Sequence, residues 1–370
     1  MNKINQHVEV LILGGGVAGC ATALGLVQQG VQGIMLIDKP LHLPFRVGES
    51  ATPDVAHALA ALGLPYDLAQ LGHRPYHGNL SRWGDTKTVL DHFLLRGKGH
   101  GWHLDRALFD DYLRQQTVSR GIELISPSGI KQINADANGW RVTIENKGVV
   151  HARVVVDAAG RRAPLAKRLA VKRHRLDKLI ALAVQITPEK TSHCKGLSLL
   201  EACPYGWWYA TYLPNGQVIV TLMTDHDVAL QQHFYEANAY LSAWRQTQLL
   251  SDTVKPPLNL SKPIASFAAH SGFVERAAGR NWLAVGDALM AFDPLTSSGI
   301  SGAFNDAKAA VTVIEAQLNS IEPVEAVRNY AKRANTSLQR YLNERQQHYR
   351  NGCHWPEQAF WQRRIGIQAL

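Results

Sequence analysis

The sequence predicts an α/β fold with a Rossmann-like dinucleotide-binding domain, an antiparallel-sheet domain and a C-terminal helical tail. Near the N-terminus an apolar strand leads into a glycine-rich turn and a helix. In the second half of the chain another apolar strand leads into Gly-Asp, with the aspartate at residue 287, and a long alanine-rich helix follows. Short segments with strand alternation lie between residues 176 and 264. With 370 residues, 46% of them hydrophobic, the chain is long enough for two domains around one cofactor.

The N-terminal segment carries the pattern of a dinucleotide site. An apolar strand leads into Gly14, Gly16 and Gly19, and a helix rich in Ala and Leu follows. The first glycine permits the tight turn, the second lets the backbone approach a pyrophosphate, and the third lets helix and strand pack closely. A second apolar strand ends at Asp38, whose carboxylate can accept two ribose hydrogen bonds. The residues of this segment predicted to bind the cofactor are Gly14, Gly16, Ala18, Gly19, Asp38 and Lys39.

The second half of the chain indicates which dinucleotide is bound. An apolar strand delivers Asp287 directly after Gly286, where a carboxylate can hold a sugar-alcohol chain. Pro294 and a Ser-Gly-Ile turn then open a long helix. Reduced flavin carries negative charge near its pyrimidine edge, and the N-terminus of a helix stabilises that charge. A nicotinamide ring carries no such charge, so the sequence predicts that the dinucleotide is FAD. The FAD-binding residues predicted in this segment are Asp287, Ser298, Gly299 and Ile300.

Together these motifs resemble the FAD enzymes of the aromatic-hydroxylase type, and more narrowly their flavin halogenase and geranylgeranyl-reductase branch. The Gly-Glu-Ser run that ends at Ser50, followed by an Ala-rich helix, is similar to the second signature of that branch. Arg106 resembles the arginine that lies against FAD in such enzymes, and residues 154–161 resemble their central Asp-Gly motif. The resemblance covers most of residues 7–315 and implies that Glu49, Ser50 and Arg106 bind FAD.

The FAD-binding domain is predicted to be discontinuous, because segments with strand alternation interrupt it. Pro214-Asn215-Gly216 joins two apolar runs, and an Asn-Gly turn in that setting is a strong hairpin signal. These strands predict an antiparallel sheet that lies over the flavin on the substrate side. The predicted division is an FAD-binding domain of residues 1–75, 100–175 and 265–320, a substrate domain of residues 76–99 and 176–264, and C-terminal helices in residues 321–370.

Halogenation can be tested on particular residues. The resemblance implies that a halogenase needs a lysine shortly after the Gly-Glu-Ser motif to intercept hypohalous acid, yet no lysine occurs between Lys39 and Lys87. The Trp-x-Trp-x-Ile-Pro block of tryptophan halogenases has the wrong spacing in residues 206–214. The acid of their Pro-Leu-Glu-Ser segment is replaced by Thr296. These three departures argue against halogenation.

The compact length and the run of residues 77–84 resemble a smaller group in the same branch, the flavoproteins that mature tryptophylquinone cofactors. That resemblance implies an FAD-dependent monooxygenase that hydroxylates a tryptophan in a partner protein, a precursor amino-acid oxidase, whose product becomes cysteine tryptophylquinone. The alternatives left open are a small-molecule aromatic monooxygenase, a reductase of the geranylgeranyl-reductase type and a non-catalytic flavoprotein. Trp355, Phe360 and Trp361 form an aromatic face that either docks a partner or packs on the core.

A base has to remove the ring proton after oxygen transfer, a step worth about a hundredfold or more. We place oxygen activation beside Pro294, and the candidate bases are His73, His77, His103 and Asp293. Each has a structural alternative, because the chain holds 16 histidines and because Asp293 can cap the helix that follows Pro294. Aromatic residues that either line the pocket or fill the strand core are Trp207, Trp208 and Tyr209.

Charge and composition limit the kinds of ligand and partner that the protein is expected to bind. The net charge of +9 comes from scattered basic residues without a nucleic-acid recognition motif, which leaves an anionic substrate, the FAD phosphates or an acidic protein partner. The four cysteines include no CxxC pair, so we expect reduced thiols and no metal site. No apolar run suits a bilayer span and the first strand begins within a few residues, which predicts a cytoplasmic protein without membrane or nucleic-acid contacts. The chain has no second glycine fingerprint, so the electron donor is either NAD(P)H bound without one or a separate reductase.

Overall fold

The computed structural model describes residues 4–38, 45–65, 67–84, 87–97, 99–126, 129–189 and 194–366. Lys39, predicted to bind the cofactor, lies outside the described residues. The strands in the described part of the chain are β1 (Ile4–Leu13), β2 (Ile34–Ile37), β3 (Ser50–Ala51), β4 (Arg74–Tyr76), β5 (Gly78–Arg82), β6 (Val89–His92), β7 (Gly101–His103), β8 (Glu123–Ile125), β9 (Ile130–Asp136), β10 (Gly139–Ile144), β11 (Gly148–Asp157), β12 (Arg173–Arg175), β13 (Leu179–Ile186), β14 (Leu197–Cys203), β15 (Gly206–Tyr212), β16 (Val218–Asp225), β17 (Ala265–Ala268), β18 (Gly272–Val274), β19 (Ala278–Gly279), β20 (Trp282–Ala284) and β21 (Met290–Ala291). The α-helices in that part are α1 (Val17–Gln28), α2 (Asp54–Ala61), α3 (Arg106–Ser119), α4 (Pro164–Arg168), α5 (His226–Gln231), α6 (Ala237–Arg245), α7 (Leu249–Thr253), α8 (Gly299–Asn319), α9 (Pro323–Gly352) and α10 (Ala359–Ile365).

The first sheet has the parallel core that the glycine pattern predicts. Its strand order is β19-β20-β11-β1-β2-β8, and the β9–β10 hairpin attaches to β11. The five strands from β20 to β8 in this order are parallel to one another. On β1, Val10 and Ile12 pack in the cluster that includes α1 and α8, whereas Leu11 packs on the opposite face with the β9–β10 hairpin. Because both faces of β1 are covered at its C-terminal end, residues 10–13 form an uninterrupted apolar run.

The second sheet is antiparallel apart from one strand pair, which confirms the predicted antiparallel sheet. Its strand order is β17-β13-β16-β15-β14-β5-β6, and the parallel pair is β14 with β5. The turn at Asn215 and Gly216 joins β15 to β16 as an antiparallel hairpin, as predicted. β14 was not predicted, because no tight-turn signal marks its start.

Two strands near the predicted domain boundaries lie in other sheets than expected. β17 falls within residues 265–320, predicted as FAD-binding domain, yet it pairs with β13 from Ile180 to Ala183 and so belongs to the antiparallel sheet. β4 joins β3 and β7 in a separate three-stranded sheet. Backbone pairing between segments distant in sequence decides both placements, and the domain division otherwise remains a prediction.

The C-terminal tail is helical, as predicted, and packs back onto the rest of the chain. Phe360 and Trp361 are 1% and 0% exposed and lie in one apolar cluster with Tyr349 and Trp207. These two members of the predicted aromatic face therefore belong to the core. Within the described part of the chain, no helix is both long and apolar enough to cross a membrane. The described residues also contain no cluster of three His, Cys, Asp or Glu side chains that could hold a metal ion.

Candidate functional site

A cavity of about 400 Å³ lies between the parallel-sheet region and the antiparallel sheet. Its volume is within the range of small-molecule and cofactor sites. The predicted site residues that line it are Gly16, Ala18, Glu49, Ser50, Arg106, Asp287, Asp293, Pro294, Ser298, Gly299 and Ile300. Residues of the antiparallel sheet that line it are Ala181, Trp207, Tyr209, Thr221, Met223, Phe267 and Ala268. The fold therefore brings the N-terminal glycine turn and the Gly-Asp segment to one place.

The three glycines of the turn have different surroundings. Gly14 has a φ of +114°, and a Cβ there would lie 2.4 Å from the carbonyl oxygen of Ala158. A Cβ on Gly19 would lie 1.9 Å from the carbonyl oxygen of Gly14, so this contact closes the strand–helix packing. Gly16 lines the cavity, and among the described residues no heavy atom lies within 4 Å of its Cβ position. This open cradle at the start of α1 fits the pyrophosphate of a dinucleotide.

Asp38 lies beside the glycine turn at the end of β2, outside the cavity wall. Its Oδ1 accepts the Gly15 N–H at 3.1 Å, and its Oδ2 accepts a hydrogen bond from Arg114 Nε at 2.9 Å. The carboxylate is thus held at the carboxyl ends of the parallel strands, where folds of this type bind ribose. A bound ribose would share Asp38 with Arg114, a partner that the sequence pattern did not reveal.

The N-terminus of α8 forms another part of the cavity wall. Ser298 precedes the helix but makes no side-chain cap, because its hydroxyl group bonds Thr296 Oγ1 at 2.8 Å. Ser298, Gly299 and Ile300 all line the cavity. The first-turn N–H groups therefore have no side-chain cap, and the positive end of the helix dipole favours negative charge in the cavity.

Arg106 connects α3 to the loop that precedes Glu49. Its Nη1 donates to the carbonyl oxygens of Val47 and Gly48, both at 3.0 Å, and its Nη2 donates to Asp110 at 3.2 Å. The Arg106 Nε is buried and has no partner among the described residues. Arg106 thus lines the cavity as predicted for an FAD contact and also anchors the loop that carries the Gly-Glu-Ser motif.

Asp287 lines the cavity beside Arg161, which the sequence analysis quoted in a motif without assigning it to the site. Arg161 Nε lies 3.3 Å from Asp287 Oδ2, and its guanidinium also donates to the carbonyl oxygens of Phe292, at 3.1 Å, and His270. Asp157, buried at the end of β11, holds this loop by accepting the N–H groups of Ala159 and Leu165. Burial raises the pKa of Asp157 to about 6.

The Asp287→Ala variant is expected to lose FAD while the chain stays folded. The Asp287 side chain is 43% exposed, so its removal leaves no buried void, but a carboxylate hydrogen bond to the ribityl chain is worth about 1.5–3 kcal/mol. The flavin-to-protein absorbance ratio after gel filtration measures the loss, and circular dichroism measures the fold. Asp111→Ala, on the exposed surface of α3, is the control. Yellow protein with full flavin content would contradict the assignment of Asp287.

Asp293 is held by the C-terminal tail as well as by its own turn. Its Oδ1 accepts the Leu295 N–H at 3.1 Å, which is the capping contact, and its Oδ2 accepts the Tyr349 hydroxyl at 2.6 Å. Arg345 Nε lies 3.6 Å from the same oxygen. Burial raises the pKa of Asp293 even though the Arg345 charge opposes this. Tyr349 and Arg345 were not predicted as partners of Asp293, because nothing in the sequence pattern of α9 links that helix to residue 293.

The candidate histidine bases lie away from the cavity, and no histidine is among its described lining residues. His73 is 5% exposed, packs against Phe109 and accepts the Asp105 N–H at 3.2 Å. His103 is buried and bonds Thr211 at 2.9 Å, and burial lowers its pKa to about 3. His77 stacks on His92. The structure therefore does not place His73, His77 or His103 where a substrate ring proton would be removed.

The aromatic wall follows from strand alternation. Trp207 and Tyr209 point from β15 into the cavity, whereas Trp208 points to the other face and packs against Tyr240 and Trp244. Successive side chains of a strand face opposite sides of the sheet, so this period-2 pattern could have separated Trp208 from its neighbours. Phe267 of β17 completes the wall.

Comparison with known proteins extends over nearly the whole chain. A profile of the tryptophan halogenase family matches residues 9–92 and 85–366. The protein named "Putative FAD-dependent oxidoreductase LodB" of Marinomonas mediterranea is 27% identical over 370 residues, which are 99% of each chain. The solved structure of QhpG, a peptidyl tryptophan dihydroxylase essential for tryptophylquinone cofactor biogenesis, has a TM-score of 0.78 at 24% identity over 98% of this chain and 80% of its own. The myxobacterial chondrochloren halogenase CndH has a TM-score of 0.86 at 20% identity over 97% and 86% of the two chains. These two structures share the fold.

Proposed function

Since the chain belongs to the tryptophan halogenase family of FAD-dependent oxidoreductases, we propose that it is a monooxygenase that hydroxylates a tryptophan of a partner precursor oxidase during cysteine tryptophylquinone biogenesis. Its cofactor is FAD, as the family and its FAD-dependent relatives imply. The observation that carries the proposal is the cavity, which combines dinucleotide-binding elements with an aromatic wall. No lysine is among the described residues that line it.

The cavity supports oxygenation rather than halogenation. A halogenase of this branch needs a lysine near the substrate, and the basic residues among the described lining positions are Arg106 and Arg161. Both guanidinium groups are engaged with backbone carbonyl oxygens. Thr296, which stands where tryptophan halogenases carry an acid, bonds Ser298 instead. The described residues of the cavity wall therefore include neither the lysine nor, at position 296, the acid that the resemblance to tryptophan halogenases implies, which supports oxygenation.

The similarity to LodB and QhpG supports a protein substrate. LodB matches this chain from end to end, and QhpG, which has the same fold, acts on a peptidyl tryptophan. The excess of basic residues favours an acidic partner surface. We therefore propose a precursor amino-acid oxidase as partner, with electrons delivered by NAD(P)H or by a separate reductase.

The cavity can orient an indole and stabilise charge. When bound, reduced FAD supplies the two electrons that activate dioxygen. The start of α1 and Asp287 would hold the dinucleotide, and the N-terminus of α8 favours negative charge at the reaction centre. Trp207, Tyr209 and Phe267 exclude water and offer faces on which an indole can pack.

The test is oxygen transfer to a captured protein substrate. The tagged protein is used to capture its partner from its native lysate, and the complex is then given reduced FAD and dioxygen. We expect a gain of one or two oxygen atoms on a tryptophan of an oxidase precursor, located by peptide mass spectrometry. The Asp287→Ala variant, which we expect to lose flavin, is the control and should give no gain.

Two outcomes would overturn this function. If no captured protein gains oxygen while a small aromatic compound stimulates oxygen uptake, the enzyme is an ordinary aromatic monooxygenase. If halide is incorporated into a tryptophan or an aromatic compound, the inference from the missing lysine is wrong.

A further inference from the structure

Glu49 is a buried carboxyl group with one oxygen that has no hydrogen-bond partner among the described residues. Its side chain is 2% exposed and lines the cavity, and its Oε2 has no hydrogen-bond partner among the described residues. Glu201, a second buried glutamate, accepts the N–H groups of Gln248 and Leu250 with its two oxygens at 2.7 and 2.9 Å. A buried carboxylate normally finds such partners, so the free oxygen of Glu49 indicates that it acts on something in the cavity.

The surroundings of Glu49 favour its neutral form. Burial raises the pKa of Glu49 to about 7, although the backbone N–H groups of Glu49 and Gly48 and the Arg106 charge oppose this shift. Tyr209 from β15 faces the same side, and burial raises the pKa of its hydroxyl well above the ordinary value. Asp287, Asp293 and Arg161 line the cavity as well. Glu49 can therefore gain or lose a proton near neutral pH, whereas Tyr209 stays protonated.

Other acids of the cavity wall are already engaged. Asp293 accepts the Tyr349 hydroxyl at 2.6 Å, and Asp306 pairs with Arg333 at 2.9 Å. Asp287 pairs with Arg161 at 3.3 Å. The histidines predicted as bases lie outside the wall. Among the described acids of the cavity wall, Glu49 is thus the one with a buried oxygen that has no hydrogen-bond partner.

We propose that Glu49 is a catalytic residue that donates a proton during oxygen transfer and recovers one from the substrate ring. This inference rests on the proposed monooxygenase function. The overall reaction converts a ring C–H, dioxygen, two electrons from reduced FAD and two protons into C–OH and water. Reduced FAD and solvent supply those two protons. Protonated Glu49 donates a further proton to the oxygen atom that leaves as water when the O–O bond breaks, and the proton that leaves the ring carbon as aromaticity is restored replaces it on the carboxylate.

The first test measures the proton itself, without activity. Infrared spectra of the full chain with oxidised FAD are compared for the wild type, Glu49→Gln and Glu201→Gln. Between pH 4.5 and about 7 we expect protonated-carboxyl absorption in all three proteins, because burial also raises the pKa of Asp157 to about 6, and Glu49→Gln should lack the part that Glu49 contributes in the wild type and in Glu201→Gln. The folded chain holds the Glu49 proton more tightly than the unfolded chain, so Glu49 makes the wild-type free energy of unfolding fall as pH rises through this window. Glu49→Gln should show a smaller fall, to which Asp157 still contributes.

The second test measures the single-turnover rate of oxygen transfer against pH. At saturating FAD we expect Glu49→Gln to react on the order of 100-fold more slowly than the wild type and to lose the pH dependence near 7. A wild-type spectrum without a band that depends on Glu49, or an unchanged pH profile in Glu49→Gln, would overturn the proposal. If the wild type transfers no oxygen to any substrate, the monooxygenase function fails even where the infrared result holds, so the two failures are distinguishable.

Discussion

Replacing Gly16 with valine is expected to yield a folded chain that no longer retains FAD. Gly16 precedes α1 with a φ of −81°, which valine can adopt, and no heavy atom lies within 4 Å of its Cβ position. The added side chain therefore occupies only the space that a pyrophosphate needs. We expect the FAD dissociation constant to rise about 100-fold or more, a loss of about 2.8 kcal/mol, as measured by flavin fluorescence titration.

Gly19→Ala is the matched comparison, because it changes the same turn but should lower the stability of the fold. The Cβ of the new alanine would lie 1.9 Å from the Gly14 carbonyl oxygen, so the strand and the helix would have to move apart. Overpacking of this kind costs about 1–3 kcal/mol of folding free energy. The assignment of Gly16 to the pyrophosphate would be refuted if Gly16→Val kept the full FAD affinity. It would also be refuted if Gly16→Val lost as much free energy of unfolding as Gly19→Ala.

The Asp225→Asn variant is expected to lose about 3–5 kcal/mol of unfolding free energy, because it leaves a buried arginine without its counter-charge. Arg364 of α10 and Asp225 of β16 are each 1% exposed, and their two contacts measure 2.8 and 3.1 Å. The pair fastens the last helix to the antiparallel sheet beneath the Tyr349 cluster. Urea unfolding at a fixed FAD concentration measures the loss, since bound cofactor would otherwise shift the midpoint.

Asp227→Asn is the control for the buried pair of Asp225 and Arg364. Asp227 forms an ion pair with Arg363 of the same last helix, at 2.8 Å, but both of these side chains are 40% exposed. Exposed ion pairs contribute about 0–1 kcal/mol, so this variant should unfold close to the wild type. If Asp225→Asn and Asp227→Asn lost equal amounts of unfolding free energy, burial would not explain how much the pair of Asp225 and Arg364 stabilises the fold.

Much of the fold could be predicted, because it rests on local patterns. The glycine turn, the strand that ends in Asp287 and the Asn-Gly hairpin each show within a short window which backbone conformation is needed. The small sheet formed by β3, β4 and β7 was missed, because its pairing joins segments far apart in the chain. β14 was missed because no turn signal marks its start.

The candidate site was predicted unevenly for the same reason. Ser50, Asp287 and Ser298 were identified from motifs, and all three line the cavity. His73 was proposed as a base from its residue type, yet it packs against Phe109 outside the cavity wall. Residue type names the chemistry a side chain can perform, but only packing determines where the side chain points.

By itself the sequence determined the cofactor class and the Rossmann-like frame, since glycine spacing and hydrophobic periodicity are properties of neighbouring residues. Only the tertiary structure decided which acids meet the cavity and in which protonation state. Glu49 and Glu201 are both buried glutamates, but Glu201 receives two backbone N–H groups from α7 and its approach, whereas Glu49 keeps an oxygen free beside Arg106. The difference between the two glutamates arises because folding excludes solvent from both and brings hydrogen-bond donors from distant parts of the chain to only one of them. A sequence pattern does not show which residues will meet in this way.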